Sequence, residues 1–416
     1  MSYIKTPMKG MNDYLPSDMR LREYVLNKIK KTYGKFGFSQ IETPAIEHIE
    51  NLTSKQGGEN EKLIFKILKR GEKLESAKNE GDDSLCDCGL RYDLTVPLSR
   101  YYANNSSQLS TPFKALQIGN VWRADRPQKG RFRQFTQCDI DILGDESILA
   151  EIELVSATAS MLAQLGFTDL KVRINDRRIL KAMALSCGFP EESLDKVFII
   201  LDKMDKIGLD GVEKELEAEG FDRSSVESYC HWFKNLDESM GCKAFCGDNL
   251  DGRLDGTVLD NLDQIISGAL ANMDIPCKIV FDPTLVRGMS YYTGTIFEIE
   301  LPDFGSSVAG GGRYDEMIGK FSNTKVCACG FSIGFERIIT MMKERNYVIP
   351  GESFKIAFLI DKSVKNEGLA DIFKEAQALR KEDKTVMVTK RNKNVKHQKQ
   401  CLEAEGYTEF KEFFGR

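Results

Sequence analysis

The residues best suited to chemistry lie between Phe113 and Gly144, a stretch that reads FKALQIGNVWRADRPQKGRFRQFTQCDIDILG. Its middle concentrates five cations, namely Arg123, Arg126, Lys129, Arg131 and Arg133. Guanidinium groups bind phosphate oxygens in a bidentate manner, so such a group could hold a polyphosphate. The alternative is an ordinary solvated strand face, which often carries a similar mixture of charges.

Two extended runs flank a short charged loop in this stretch, Asp125 to Lys129, and together they predict a long β-hairpin. Side chains of a strand alternate between its two faces, because the strand repeats every two residues. The opposite face of the second run becomes apolar towards its end. The first face therefore brings cations, an amide and two carboxylates together, and it carries Arg131, Arg133, Phe135, Gln137, Asp139 and Asp141.

A second candidate group lies in LRYDLTVPLSRYYAN, Leu90 to Asn104. Arg91, Asp93 and Thr95 stand at alternate positions, so we expect them on one face of a strand. A buried ion pair between Arg91 and Asp93 is one interpretation. The other is a carboxylate and a hydroxyl that bind the ammonium group of a substrate.

Two glycine-containing segments complete the candidates. AGGGRY, Ala309 to Tyr314, allows a ligand to approach the backbone closely, although most glycine runs are simply turns. ACGFSIGFERIITMMKE, Ala328 to Glu344, predicts a strand that passes into a helix, with Arg337 in the first helical turn. A cation there is unfavourable to the helix dipole, which indicates an anionic partner outside the helix.

The composition, 41% hydrophobic and 29% charged, is that of a globular protein, and the net charge of -5 requires any nucleic-acid site to be local. The start, MSYIKTPMKG, lacks the apolar core of a signal peptide, and no run approaches membrane-spanning length. We therefore expect a cytoplasmic protein without a membrane partner. Eleven cysteines without a C-x-x-C pair, and three histidines, argue against zinc fingers and against Ser/His or Cys/His nucleophilic catalysis.

The elements that must position these residues fall into several segments, because 416 residues are too many for one simple core. The pattern from Arg177 to about Met273 is helical and indicates a separate insertion, with breaks at Gly188, Gly208, Gly220 and Gly241. The last segment, Lys355 to Arg416, alternates strands and helices as βαβαβ, which predicts a parallel sheet. Its basic stretch, Lys390 to Lys399, could suit RNA or could be a solvated face.

Taken together, these stretches resemble class II aminoacyl-tRNA synthetases, and among them the histidyl-tRNA synthetases. The similarity runs in the right order from Gly10 to about Glu344. GMNDYLP with GFSQIETP resembles motif 1, with Pro44 as its dimer-interface proline, while VWRADRPQKGRFRQFTQCDIDILG resembles motif 2 and GFSIGFERI motif 3. LVRGMSYYTGTIFE and AGGGRYDEM are similar to the two histidine-specific signatures, which make the resemblance specific.

The resemblance implies an α+β fold, with a class II synthetase-like antiparallel sheet of six strands flanked by helices. It also implies a helical insertion and a small C-terminal α/β domain that binds the anticodon. We expect the catalytic domain in two parts, 1–175 and 276–347, the insertion at 176–275 and the C-terminal domain at 352–416. That last domain ends after its third strand, so we expect reduced or different anticodon contact.

The reaction implied is that of ATP with histidine to give histidyl-adenylate and pyrophosphate, followed by transfer to histidine tRNA. Arg123 would hold the α-phosphate and Arg337 the γ-phosphate of a bent ATP. Arg287 would stabilise the charge that builds at the α-phosphate, which makes Arg287 and Arg123 the catalytic candidates. Asp125 would belong to the ATP site, although it is shorter than the usual glutamate of motif 2.

The remaining roles concern histidine. Asp93 and Thr95 would bind its ammonium group, and Asp141 and Tyr292 its imidazole, since a site that satisfies both ring nitrogens rejects other amino acids. Ser290 stands where an aspartate is usual, so the role of that acid is open. Other residues of the same site would be Arg133 and Gln137 near ATP and the carboxylate, and Tyr291 and Tyr314 near the ring.

ATP is expected as a substrate together with Mg²⁺, whose ligands the sequence does not identify; carboxylates such as Glu298 are candidates. The partners implied are L-histidine, ATP, histidine tRNA and a second copy of the chain in a homodimer. Two rival functions share these features. One is the histidine-binding regulatory subunit of ATP phosphoribosyltransferase, and the other is an RNA-binding or scaffolding protein with a dead site. Three phosphate-facing arginines, Arg123, Arg287 and Arg337, favour the enzyme over both.

Overall fold

The structure, a computed structural model, describes residues 3–53, 60–79, 85–128, 130–234, 236–250, 252–287, 291–301, 305–322, 324–350 and 355–415. Lys129 and Ser290 lie outside these residues. The chain forms two compact units, one of Met1–Met11 and Lys28–Met341 and the other of Asn12–Asn27 and Met342–Arg416.

The strands of the first unit are β1 (Ser39–Ile41), β2 (Ile46–His48), β3 (Lys66–Leu68), β4 (Cys86–Leu90), β5 (Phe113–Trp122), β6 (Gln134–Leu143), β7 (Leu170–Asp176), β8 (Cys277–Phe281), β9 (Thr295–Leu301), β10 (Ser306–Arg313) and β11 (Ala328–Ile333). Eight of them form one sheet in the order β1-β5-β6-β11-β10-β9-β7-β8, and the other three form a small antiparallel sheet.

The central sheet confirms the expected class II architecture. Its six inner strands, in the sheet order β5-β6-β11-β10-β9-β7, are antiparallel to their neighbours. Strands β1 and β8 each add a parallel strand at one edge. The predicted hairpin is β5 and β6, which pair from Phe113 opposite Leu143 to Trp122 opposite Gln134. The second strand begins at Gln134, so the predicted run from Arg131 enters the sheet three residues later than expected.

The register aligns residues of six strands in a row across one face of the sheet, because directly opposite residues point to the same side. We call this set the polar row. Each member is opposite the next along Gln117, Asp139, Ser332, Gly310, Glu298 and Arg173. A second row, two residues away on the same face, contains Asp141 opposite Gly330.

The helices are α1 (Pro16–Lys35), α2 (Ile49–Thr53), α3 (Glu72–Ala77), α4 (Thr95–Asn105), α5 (Leu149–Gln164), α6 (Arg177–Ser186), α7 (Leu194–Leu201), α8 (Met204–Ala218), α9 (Arg223–His231), α10 (Cys242–Cys246), α11 (Gly256–Ala271), α12 (Phe335–Glu344), α13 (Asn366–Lys381) and α14 (Val395–Ala404). Helix α5 packs on β6, β9, β10 and β11. Its Glu151 pairs with Arg313, which shares the apolar face with Ile142, so α5 covers the face opposite the polar row.

Helices α6 to α11 occupy the segment predicted to be helical. Aspartates 176, 222 and 255 cap α6, α9 and α11 by accepting backbone N–H groups, as N-cap residues do. Helix α8 is interrupted at Gly208, whose φ of 69° lies in the left-handed region, and Gly188, Gly220 and Gly241 fall between helices. The predicted breaks at glycines are therefore confirmed.

The predicted strand face around Asp93 is wrong. Strand β4 ends at Leu90 and α4 begins at Thr95, because Asp93 Oδ1 accepts the backbone N–H of Val96 at 3.1 Å and starts the helix. Pro97 fits the first turn, where its missing N–H is not needed. Arg91 donates to the carbonyl oxygens of Thr43 at 2.6 Å and Asn120 at 2.9 Å, so the buried ion-pair interpretation is wrong as well.

The second unit contains the predicted βαβαβ element. Strands β12 (Lys355–Ile360), β13 (Thr385–Lys390) and β14 (Tyr407–Phe413) form a parallel sheet in the order β13-β12-β14. Helices α13 and α14 are the connections between them. One side of this sheet buries a small core of Ile356, Phe358, Ile372, Ala376 and Val386.

Candidate active site

A cavity of about 660 Å³ lies against the polar face of the central sheet. Strands β6, β10 and β11 form its floor, and the first turns of α4 and α12 contribute Thr95 and Arg337. Eleven of the twelve predicted site residues line it; they are Asp93, Thr95, Arg123, Asp125, Gln137, Asp141, Arg287, Tyr291, Tyr292, Tyr314 and Arg337. Segments far apart in sequence therefore converge on one space.

Asp141 and Tyr314 are almost fully buried in the wall, with exposed fractions of 3% and 2%. The Tyr314 hydroxyl donates to Asp141 Oδ1 at 2.5 Å, while Oδ2 is buried and has no hydrogen-bond partner among the described residues. A side chain on Gly330 would lie 2.0 Å from Oδ1, so only glycine leaves room for this carboxyl. The free oxygen can accept a hydrogen bond from a ligand.

Asp93 is similarly buried and similarly incomplete. One carboxyl oxygen accepts the backbone N–H of Val96, and the other, Oδ2, has no partner among the described residues. Gln137 also keeps a buried carbonyl oxygen, Oε1, without a partner in that part of the chain. Unpaired buried acceptors are costly, so these atoms indicate a ligand with several N–H donors.

Asp139 lines the same cavity as Asp93 and Asp141 and is 4% exposed. It accepts from the Ser332 hydroxyl at 2.5 Å and from Gln137 Nε2 at 3.1 Å. Our prediction placed Asp139 on the right face but gave it no role. The signal was present, because it shares strand parity with Gln137 and Asp141.

Burial raises the pKa of all three carboxyls. The pKa of Asp93 rises to about 6 and that of Asp139 to about 7, in each case mainly because the charged form is removed from water. The pKa of Asp141 lies well above its ordinary value, first because of burial and then because of the neighbouring charge of Asp139. This part of the cavity therefore favours a cationic or proton-donating ligand.

Two adjacent tyrosines stand beside the acids. The rings of Tyr291 and Tyr292 are 4.5 Å apart between centroids, and the Tyr291 hydroxyl donates to that of Tyr292 at 3.4 Å. Tyr291 also meets the Tyr314 ring edge to face at 5.9 Å. Together they give this end of the cavity flat aromatic walls with hydroxyl groups at the edges.

Arginines form the other part of the wall. Arg123 donates through Nε to the carbonyl oxygen of Tyr92 at 2.9 Å, and its guanidinium lies 5.2 Å from the Phe135 ring centroid. Arg337 donates to the carbonyl oxygen of Ser307. Burial and the nearby charge of Arg131 lower the pKa of Arg337, so like charges are crowded here. Such crowding is favourable only when an anion binds between them.

Arg287 has the most unusual backbone of the arginines, with a φ of 53° in the left-handed region. Its Nη1 pairs with Glu298 Oε2. A side chain on Gly310 would lie 2.1 Å from Nη2, so this glycine lets the guanidinium lie flat on the sheet. The glycine run was expected to allow close approach of a ligand, but at Gly310 it is the Arg287 side chain that packs against the backbone. Gly310 and Gly311 also line the cavity.

Arg133 is the predicted site residue that does not line the cavity. It precedes β6, and its backbone N–H donates to Gly10 at 2.7 Å while Nε donates to the Asp125 carbonyl at 3.1 Å. The strand alternation that would have aimed it inward does not yet hold at this point. Arg131 lines the cavity instead, and Arg126 is an exposed loop residue.

No group of three or more His, Cys, Asp or Glu side chains that could hold a metal ion is present in the described residues. Glu336, which also lines the cavity, accepts the backbone N–H of Thr136 at 3.2 Å. Four arginines and four buried carboxyls, those of Asp93, Asp139, Asp141 and Glu336, therefore share one space. That arrangement can hold a polyphosphate beside a ligand rich in N–H donors.

Comparison with known proteins decides the family. The profile described as histidyl-tRNA synthetase matches residues 10–338. The histidine–tRNA ligase of Leifsonia xyli subsp. xyli is 46% identical over 347 residues, which cover 81% of this chain and 80% of that protein. The chain belongs to the histidyl-tRNA synthetase family.

Solved structures agree with this membership. A histidyl-tRNA synthetase from Nostoc sp. PCC 7120 matches with a TM-score of 0.78 and 26% identity, covering 97% of this chain and 90% of that one. A Bacillus halodurans protein, titled an ATP phosphoribosyltransferase regulatory subunit/histidyl-tRNA synthetase, matches with a TM-score of 0.77 at 20% identity and shows the shared fold alone.

The predicted function is confirmed: the protein is an aminoacyl-tRNA synthetase of the histidine–tRNA ligase type, which uses ATP. The regulatory-subunit alternative is not favoured, because the similar curated proteins are ligases. Each helix of the described residues is too short or too polar to cross a membrane.

Proposed function

We propose that the cavity binds histidine and ATP side by side, joins them as histidyl-adenylate and passes the histidyl group to histidine tRNA. The observation that carries this proposal is the composition of one cavity, which combines four arginines, Arg123, Arg131, Arg287 and Arg337, with three buried aspartates. Arginines match a polyphosphate, and buried acceptors match a small ligand with an ammonium group and ring N–H donors.

Histidine binds at the carboxyl end in this proposal. Its ammonium group donates to the unpaired Oδ2 of Asp93, with Thr95 next to it. Its imidazole N–H donates to the unpaired Oδ2 of Asp141, whose other oxygen already accepts from Tyr314. Tyr291 and Tyr292 enclose the ring, and Gln137 lies towards the histidine carboxylate.

This arrangement accounts for selectivity. Any amino acid that lacks a ring N–H leaves Asp141 Oδ2 buried and unpaired, which costs about 1–3 kcal/mol. Sites that demand a hydrogen bond reject ligands without one more strongly than apolar pockets reject extra methyl groups. A histidine-specific enzyme can therefore work at this first step by binding alone.

ATP binds along the arginines. Arg123 holds the α-phosphate, Arg337 holds the γ-phosphate, and Asp125 lines the same part of the cavity. A contact between Arg133 and ATP stays a prediction, and it requires this side chain to leave its bond to the Asp125 carbonyl. Arg131 is better placed for the phosphates, since it lines the cavity beside Arg337.

The first chemical step joins the two substrates. A carboxylate oxygen of histidine attacks the α-phosphorus, the bond to the β-phosphate oxygen breaks, and pyrophosphate leaves. Arg287 donates to the α-phosphate oxygens, where negative charge builds, and a preorganised cation at such a place typically contributes a factor of about 10²–10³. In the second step a ribose hydroxyl of tRNA attacks the histidyl carbonyl carbon, and AMP leaves.

Mg²⁺ accompanies ATP in this proposal and is held mainly by phosphate oxygens and water, as is usual for nucleotide sites. Glu298, the carboxylate considered from the sequence, is paired with Arg287. That pairing does not suit a metal ligand, so we derive no step through the ion.

The second unit and the insertion contact tRNA in this proposal. The domain limits predicted from the sequence, 1–175, 176–275, 276–347 and 352–416, stay predictions. Support for RNA contact by the last domain comes from Lys390, Lys393 and Lys396, which are exposed. Arg391 and Lys399 instead pair with Glu412, so part of the basic stretch stabilises the unit itself.

We also propose a cytoplasmic homodimer. Pro44, the motif 1 proline, is exposed, and Ile46 close to it leaves 52% of a large apolar side chain uncovered. Burial of such a residue against a second copy is favourable. Light scattering on the purified protein tests this, and a monomer at micromolar concentration would contradict it.

The decisive experiment is ATP–pyrophosphate exchange with each of the twenty amino acids. Exchange with histidine alone supports the proposed site, and aminoacylation of histidine tRNA then tests the second step. Histidine binding by calorimetry without exchange would overturn the proposed catalytic role of the arginines.

A further inference from the structure

The polar row continues past the cavity to a residue that none of the proposed roles uses. Beyond Gly310 it reaches Glu298 in β9 and Arg173 in β7, which stand directly opposite each other. Arg173 is 6% exposed. A buried arginine one strand away from the carboxylate partner of Arg287 lies close to the reacting centre without touching the cavity.

Every nitrogen of the Arg173 guanidinium is engaged. Nε donates to Asp282 Oδ2 at 2.5 Å, Nη1 to Glu300 Oε1 at 2.7 Å and Nη2 to Thr284 Oγ1 at 3.1 Å. Burial by itself would lower the pKa of Arg173, but the carboxylates of Asp282 and Glu300 more than offset this and raise it. A buried side chain with this many fixed partners has one orientation.

Glu298 lies between two arginines. Its Oε2 pairs with Arg287, and its Oε1 is 3.8 Å from Nη1 of Arg173. The side chain is only 13% exposed, so little water shields its charge. With both cations present, the carboxylate is shared; without Arg173, its field would act on Arg287 alone and weaken the positive potential that Arg287 presents to a phosphate.

The same guanidinium also contacts the helical insertion. Nη1 of Arg173 donates to Asp205 Oδ2 at 3.2 Å, and Asp205 lies in the first turn of α8. Its side chain is 69% exposed, which makes this the most accessible member of the group. A continuous series of hydrogen bonds and ion pairs thus leads from Asp205 in the insertion to Arg173, from Arg173 to Glu298 at 3.8 Å, and from Glu298 to Arg287.

We propose that Arg173 is a positioning residue, which holds Glu298 so that Arg287 lies over Gly310 and which makes this geometry depend on the insertion through Asp205. The inference rests on the proposed role of Arg287 in adenylate formation. It identifies the insertion as an element that acts on the activation step, in addition to any contact with tRNA.

The test is the steady-state kinetics of histidine-dependent ATP–pyrophosphate exchange in the full-length protein. Arg173→Met keeps the length of the side chain and removes its charge. We expect kcat to fall by about 100-fold, as for other displacements of a catalytic group by about 1 Å. The KM for histidine should change by less than about threefold, because Asp93, Asp141 and Tyr314 do not contact Arg173. Arg173→Lys should recover part of kcat.

A double-mutant cycle with Glu298→Gln separates positioning from mere structural support. If Arg173 acts through Glu298, Arg173→Met adds no further loss of kcat in the Glu298→Gln background. Losses that multiply would overturn the proposal. Arg223→Met, which breaks an exposed pair with Glu227 in the insertion, is the matched control and should leave kcat unchanged.

A second variant covers a folding failure of Arg173→Met, detected by circular dichroism. Asp205→Asn changes an exposed side chain, and we expect kcat to fall by about three- to tenfold at constant KM. Unchanged kcat in Asp205→Asn would overturn the link to the insertion. Arg287→Ala separates failure of the proposed function from failure of the positioning role. If Arg287→Ala leaves exchange intact, the proposed function of Arg287 fails. If it abolishes exchange while Arg173→Met does not, only the positioning role fails.

Discussion

The carboxyl-bearing and the arginine-bearing parts of the cavity differ in how their polar atoms are satisfied. Asp93, Asp139 and Asp141 are at most 4% exposed, and two of them keep an oxygen without a partner in the described chain. The arginines are half-buried or exposed, and one guanidinium nitrogen in each of Arg123, Arg287 and Arg337 donates a hydrogen bond to another protein group. The first part therefore suits one small ligand of fixed shape, whereas the second can adapt to a flexible polyphosphate.

The difference also has an energetic side. A buried acceptor without a partner destabilises the empty protein and rewards only the ligand that supplies a donor, so it produces specificity. An arginine in contact with water loses less when the site is empty and supplies charge when ATP binds. Recognition and rate should consequently respond to different substitutions.

The largest effect is expected for Arg287→Ala. Loss of a cation aimed at the α-phosphate should lower kcat of histidine-dependent exchange by about 10³-fold, while histidine affinity by calorimetry changes by less than threefold. Arg126→Ala, in the exposed loop beside the cavity, is the control and should be almost silent. An unchanged exchange rate in Arg287→Ala would remove the assigned role.

Asp141→Ala should have the next largest effect, and this effect concerns the carboxyl-bearing part of the cavity. Loss of the acceptor for the imidazole should weaken histidine binding by about 100-fold, with ATP affinity unchanged. Glu146→Ala, an exposed acid just beyond the same strand, provides the comparison. A loss confined to ATP affinity would show that the imidazole lies elsewhere.

Two glycines allow the halves to be compared with the same chemical change. Gly330→Ala would push a methyl group against Asp141, and Gly310→Ala would push one against Arg287. We expect about tenfold weaker histidine binding in the first and about tenfold slower exchange at normal histidine affinity in the second. Identical kinetic profiles of the two variants would mean that the two halves are not separable.

The smallest expected effect concerns stability and pH. The pKa of Asp139 is about 7 when folded, against about 4 when unfolded, so the folded state keeps a proton that the unfolded chain has lost. The contribution of protonated Asp139 to the free energy of unfolding is fully present below pH 4 and is lost as the pH rises through 7. Between pH 5.5 and 7.5 the free energy of unfolding, measured with urea, should fall by about 2 kcal/mol more in the natural protein than in Asp139→Asn. Parallel curves would contradict the buried position of this acid.

Much of the fold and of the site could be predicted from the sequence because the relevant signals are local. The alternation of Gln137, Asp139 and Asp141 predicts one polar face, and the βαβαβ order of the last segment predicts its parallel sheet. The motifs that resemble histidyl-tRNA synthetases brought eleven of the twelve candidate residues to one cavity.

The errors arose where local alternation gave way to tertiary contacts. Asp93 and Thr95 were expected on a strand, but a side-chain bond to Val96 starts a helix there. Arg133 was expected to face inward, but the contact with Gly10 holds it before the strand begins. Neither contact can be predicted from the alternation of side chains along a strand.

The sequence by itself determined which chemistry is present, because its arginines, carboxyls and glycines occur in the order and spacing of the histidyl-tRNA synthetase motifs. Only the tertiary structure decided which atoms are left without partners, and how Arg173, Glu298 and Arg287 line up across two strands and a loop. Strand register and burial determine these contacts. Arg173 and Glu298, for example, are opposite each other only because β7 and β9 pair, although the two residues are more than one hundred positions apart in sequence.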